Sequence, residues 1–164
     1  LVVITAAGGA ILTFAPLLGG ATTALGALLA MTGMAALARW LVGGVADRHG
    51  PAGFIAPMLG VGAVGLAVIA VGIGVGGGLV ILGCALLGTA YGGLQNLTLV
   101  QAFAATGEHA RGAVSVAWNV GFDAGTGLGS LAGCVGHVVL VPDGVRRDDG
   151  GVCGGRFDVG THPP

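Results

Sequence analysis

Asp123 is the one acid far inside a long apolar stretch, and it shares a four-residue repeat with Ser115 and Asn119. A carboxylate at such a position costs several kcal/mol inside a membrane unless it is paired, solvated or protonated, so residues of this kind mark proton or substrate pathways. Two roles follow for Asp123. It takes up a proton or meets a cationic group of a substrate, or else it forms a helix-to-helix hydrogen bond with Asn119 or a neighbour. Tyr91, Gln95 and Thr98 fall at i, i+4 and i+7, which puts them on one face of a second helix, able to line the same cavity; Asn96 and Gln101 flank that face. His137 reads as an interfacial residue and Trp40 as an interfacial anchor. Cys84, Cys134 and Cys153 lie too far apart for metal-ligand or redox spacing, and Cys84 and Cys134 read as small helix-packing residues. Gly72-Ile73-Gly74-Val75-Gly76-Gly77 matches the glycine pattern of a dinucleotide site. Its context fails, because no acid between Asp47 and Glu108 could take a ribose and another apolar stretch follows. No cofactor, metal or enzymatic activity is expected.

The elements that hold these residues follow from composition. Charged residues make up 8% of the chain and mean hydropathy is +0.96, against about 25% charged in a soluble domain. Leu1 to Ala38 and Pro51 to Gly107 contain no Asp, Glu, Lys or Arg. Each run is far longer than the roughly 20 residues needed to cross a bilayer, which predicts an all-α, polytopic membrane bundle. The spacing places about five transmembrane helices at 1–19, 22–46, 53–75, 78–104 and 112–140. A net charge of −1 and the absence of Lys exclude a nucleic-acid partner. The 36 glycines fit the same picture, since small residues let helices approach closely in a membrane.

The fifth helix has two faces. Gly121, Gly125, Gly129 and Gly133 recur every four residues and form a smooth ridge for another helix. The Ser115, Asn119 and Asp123 stripe is rotated roughly 160–200° from that ridge at 100° per residue. One face packs and the other meets water or substrate. The joints alternate as well: Gly19-Gly20 and Gly76-Gly77-Gly78 carry no charge, whereas the others hold Arg39, Asp47 and Arg48, then Glu108, His109 and Arg111. The excess of basic residues puts the charged joints in the cytoplasm and the glycine turns outside a cell (plasma or inner) membrane. The unit thus spans 1–141, and a polar glycine-rich tail, 142–164, is expected to be disordered. Leu1 begins inside an apolar run, so the front of the chain reads as cut.

The joint Gly43-Gly44-Val45-Ala46-Asp47-Arg48-His49-Gly50 carries the most specific signal. Gly43, Asp47, Arg48 and Gly50 resemble the Gly-x-x-x-Asp-Arg-x-Gly loop signature of the major facilitator superfamily of transporters. Pro51 and Ala52 stand where basic residues would follow, as is commoner in the degenerate second copy between the eighth and ninth helices. Glu108, Arg111, Gly112, Ser115, Asn119, Phe122, Asp123, Gly125, Gly127 and Gly129 resemble the joint and eleventh helix of many bacterial members. In such a joint Gly43 lets helices close together, Asp47 faces the positive end of a helix and Arg48 anchors at the headgroups. The resemblance implies a gating role for this loop. It also implies a C-terminal half that lacks its N-terminal six helices, in a lipid bilayer, moving a small molecule by proton-coupled export. The alternative is a small helical membrane protein that does not transport and whose glycine ridges serve assembly only.

Overall fold

The computed structural model describes residues 1–106 and 108–140, without the side chains of 45–49, 108 and 137–140. The tail at 142–164 and the side chains of Asp47, Arg48 and His137 lie outside the described residues. Among the described residues the fold is all-α, with five helices: α1 (Val2–Phe14), α2 (Ala21–His49), α3 (Ala52–Val75), α4 (Gly77–Ala104) and α5 (Arg111–Leu140). Single 3-10 turns, Ala15–Leu17 and Glu108–Ala110, follow α1 and precede α5.

Two boundaries differ from the sequence expectation for a physical reason. The first helix, expected to reach residue 19, stops at Phe14 and tightens into the 3-10 turn that contains Pro16. Proline has no N–H to give and its ring crowds the carbonyl four residues back. The charged joint at 43–50 is not a loop, since α2 runs on to His49 and the chain turns only at Gly50, where φ is +81°. That φ belongs to the left-handed region, which a Cβ disfavours by about 1–2 kcal/mol. Gly50→Ala should therefore destabilise the protein by about 1 kcal/mol in detergent. Gly53→Ala, in helical backbone with nothing within 4 Å of the new Cβ, should be neutral or slightly stabilising. Equal thermal midpoints for the two variants would show that the Gly50 backbone is not held as described.

Helix α4 is the hub. Gly88 and Gly92 bring it against the backbone of Met31 and Ala35 in α2, so near that a Cβ on either glycine would overlap the carbonyl opposite. On its other side, a Cβ on Gly65 of α3 would come 2.7 Å from the Leu87 nitrogen, and one on Gly72 equally near the Val80 nitrogen. Met31, Val80, Cys84 and Leu87 fill the core between these helices, each no more than 1% exposed. Cys84 is a free, buried thiol, but Cys134 is disulfide-bonded, which corrects the expectation that it merely packs.

Helices α1 and α5 form a second pair and meet the α2–α4–α3 layer through Ile4, Tyr91 and Phe122. The exterior is apolar: Leu29 is 63% exposed, Val75 71% and Val116 64%. Water disfavours a surface of this kind and lipid does not. Among the described residues, three helices are long and apolar enough to cross a membrane: Ala21–Gly44 within α2, Ala52–Val75 and Gly77–Ala104. They point to a membrane protein. Val2–Leu17 is a shorter apolar helix, and α5, although 30 residues long, is not among the three. Its interruptions are the polar and glycine residues of its two faces.

Candidate functional site

Gln95 and Asn96 of α4 and Asn119 and Asp123 of α5 converge with Arg39 of α2 on a cleft of about 500 Å³, lined also by Leu99, Trp118 and Phe122, whereas Tyr91 and Thr98 are outside its lining. The close approach of Gly92 to Ala35 sets the rotation of α2 on α4, and Arg39 lies one helical turn beyond Ala35. The Asn96 side-chain amide fixes the same register by donating to the Arg39 carbonyl at 2.9 Å. The sole cation of the middle of α2 therefore lines the same cleft as the sole acid of α5.

Asp123 is exposed and Asn119 lies one turn before it. The Asn119 amide donates to the Ser115 carbonyl at 2.8 Å, within its own helix, rather than to Asp123. No hydrogen bond or ion pair joins Asp123 or the Arg39 guanidinium to another described residue. The two charges face the cleft without being spent on each other. The Ser115 side chain, half-buried, is outside the cleft lining.

Gln95 is the most unusual group here. It is 2% exposed, it lines the cleft, and neither its carbonyl oxygen nor its amide nitrogen makes a well-formed hydrogen bond, with the Tyr91 hydroxyl beside it as a weak contact. Buried polar atoms are satisfied in the great majority of cases, so an orphaned carboxamide asks for a partner that arrives from elsewhere. Its neighbours in the stripe are occupied. Tyr91, 7% exposed, lies under Gly8 of α1 with its ring 6.2 Å from that of Phe122. The Thr98 hydroxyl donates to the Leu94 carbonyl at 2.7 Å and accepts the indole N–H of Trp118 at 3.2 Å. Trp118 stacks on Phe122 with centroids 5.6 Å apart, and the two rings wall the cleft on the α5 side. Trp118 is thus a cleft residue with a buried duty, which its place in the sequence did not reveal.

The other face of α5 meets α1. A Cβ on Gly125 would run into Thr5, one on Gly129 into the Ala6 carbonyl and one on Gly133 into the Phe14 ring; at Gly121 only Leu1 is near, at 3.7 Å. A hydrogen bond of 2.8 Å between the Thr13 and Ser130 hydroxyls closes the far end of this seam. In the joint, Gly43 faces the Asn96 side chain, whereas a gating role for Asp47 and Arg48 concerns side chains outside the described residues. Among the described residues no group of three or more His, Cys, Asp or Glu could hold a metal.

Arg39 is the residue that sequence reasoning missed as a site member. Its signal was present: it lies ten residues before the end of α2, too deep to be a mere joint residue. Searches against protein-family models, curated proteins and solved structures found no match to this chain.

Proposed function

We propose that the chain is the C-terminal half of a major-facilitator-like secondary transporter, working in a cell membrane with an N-terminal half of six helices. It exchanges a small molecule for protons, in the direction of export, at the cleft between α2, α4 and α5. The observation that supports this most is Asp123, joined to no other described residue by a hydrogen bond or ion pair, in an otherwise apolar bundle and opening on a cleft of small-molecule size. A single carboxylate cannot hold a proton and a cationic group together. Proton uptake from the outside therefore expels the substrate, and substrate uptake from the inside expels the proton, which is the thermodynamic requirement for antiport. Alternating access comes from rocking the two halves about such a central site.

The exchange is tested in everted membrane vesicles from cells that express the chain within the intact transporter, with an acid interior reported by a pH-sensitive dye. Glycylglycine added outside should speed collapse of the gradient, because it offers the cationic group that Asp123 takes. Collapse no faster than in vesicles without the protein would reject the exchange.

The arrangement across the membrane has its own check. With native cysteines replaced by Ser, cysteines at Ala52 and Thr106 should be labelled from the cytoplasmic side only, and one at Gly78 from outside only. Gly78 is suitable because a side chain there has nothing within 4 Å. Labelling of positions 52 and 78 from one side would sink the topology. The assembly-only reading draws less support, since the glycine ridge that would serve it packs within the chain against α1.

A further inference from the structure

The cleft offers three recognition groups of different kinds, one on each of its helices. Arg39 on α2 is cationic, Asp123 on α5 is anionic, and Gln95 on α4 presents a neutral donor and a neutral acceptor, neither in a well-formed hydrogen bond. A ligand with only a positive charge would satisfy Asp123 and leave its charge beside the Arg39 guanidinium. A ligand with only a negative charge meets the converse difficulty. Both mismatches weigh heavily where apolar walls such as Leu99 and Phe122 lower the local dielectric. A zwitterion meets neither. The Gln95 carboxamide adds a further condition, because a group that both donates and accepts, as an amide does, can satisfy its two orphaned atoms at once.

We propose that this cleft binds a small zwitterion whose ammonium and carboxylate are joined through an amide or similar neutral donor-acceptor group. The ammonium pairs with Asp123, the carboxylate with Arg39, and the amide hydrogen-bonds to Gln95. The rest of the ligand lies along the Trp118 and Phe122 rings. This rests on the transport reading for the role of the cleft as a substrate site, and it fixes the substrate's chemical class, which that reading leaves open.

The test is equilibrium binding to the full chain in detergent, with Trp118 as reporter. The chain has two tryptophans, and Trp40 is 77% exposed and outside the cleft, so Trp40→Phe leaves the cleft tryptophan alone to respond. Four related probes separate the groups: glycylglycine, its ethyl ester, N-acetylglycylglycine, and 5-aminopentanoate, which keeps both charges at the same spacing and has no amide. Glycylglycine should bind tightest. Loss of either charge should weaken binding roughly 10- to 100-fold, as for other charge-assisted hydrogen bonds, and loss of the amide about tenfold.

The variants must erase these differences one at a time. Arg39→Gln should bind glycylglycine no better than its ethyl ester, and Asp123→Asn no better than the N-acetyl form. Gln95→Met, which keeps the volume, should bind glycylglycine and 5-aminopentanoate alike. Ester binding as tight as that of glycylglycine in the parent protein, or no response to any probe at about 10 mM, overturns the proposal. The exchange reading fails separately: binding of glycylglycine that does not weaken at low pH removes proton competition while leaving the zwitterion site intact.

Discussion

Gly129→Ala should lower the thermal midpoint of the protein in detergent by about 3–10 °C, although alanine is the better helix former. The added methyl has nowhere to go, because it would occupy the position of the Ala6 carbonyl oxygen in α1. Backbone cannot swing aside as a side chain can, so α1 and α5 must separate, at a cost of about 1–3 kcal/mol typical of overpacking. Separation also strains the Thr13–Ser130 hydrogen bond at the end of the seam. Gly127→Ala is the matched control, in the same helix and with nothing within 4 Å of its Cβ. It should be neutral or gain up to about 1 kcal/mol from helix propensity. Equal midpoints for the two alanine variants would show that α1 does not pack against this ridge in solution.

The same seam shows how far the sequence could be read. The four-residue glycine repeat of α5 is local, so a ridge could be read directly from spacing. Its partner could not be: Val2, Thr5, Ala6 and Gly9 in α1 become its counterpart only when two helices more than a hundred residues apart in the chain meet. Helix positions were legible because charge-free runs and glycine turns delimit them, and the ends that differ are those where one residue's backbone decides. Pro16 shortens the first helix, and Gly50 lets the second run through what its charges suggest is a loop.

The cleft divides in the same way. The Tyr91, Gln95 and Thr98 stripe and the Asn119 and Asp123 stripe follow from helical period alone. Arg39 does not, since its direction depends on the rotation of α2, which the contacts of Gly88 and Gly92 with Met31 and Ala35 determine. Nor does period distinguish a satisfied polar residue from an orphan. Thr98 and Gln95 share one stripe, yet Thr98 is bonded twice and Gln95 makes no well-formed hydrogen bond.

Asp123→Asn should abolish gradient-driven exchange in the intact transporter, a loss of at least about 100-fold in flux if the carboxylate carries the proton, while folding and membrane insertion survive. The amide has the same volume and removes the cost of a charge among apolar helices, so the bundle gains rather than loses from the change. Binding separates the proton from the other roles of the residue. In the parent protein, protons and the ligand's cationic group compete for one carboxylate, so affinity should fall as pH falls; in Asp123→Asn it should be weaker and flat with pH. Among the described residues, the other charged or titratable side chains at the site are Arg39 from α2 and Tyr91 from α4, while the side chains of α1 carry no charge. A residual pH dependence between about pH 5 and 8 would place the proton elsewhere. Had Asp123 served only to bridge helices, asparagine would keep the hydrogen bond and transport would continue with its pH profile intact. A variant that exchanges normally would thus reject Asp123 as the proton site, whatever its stability.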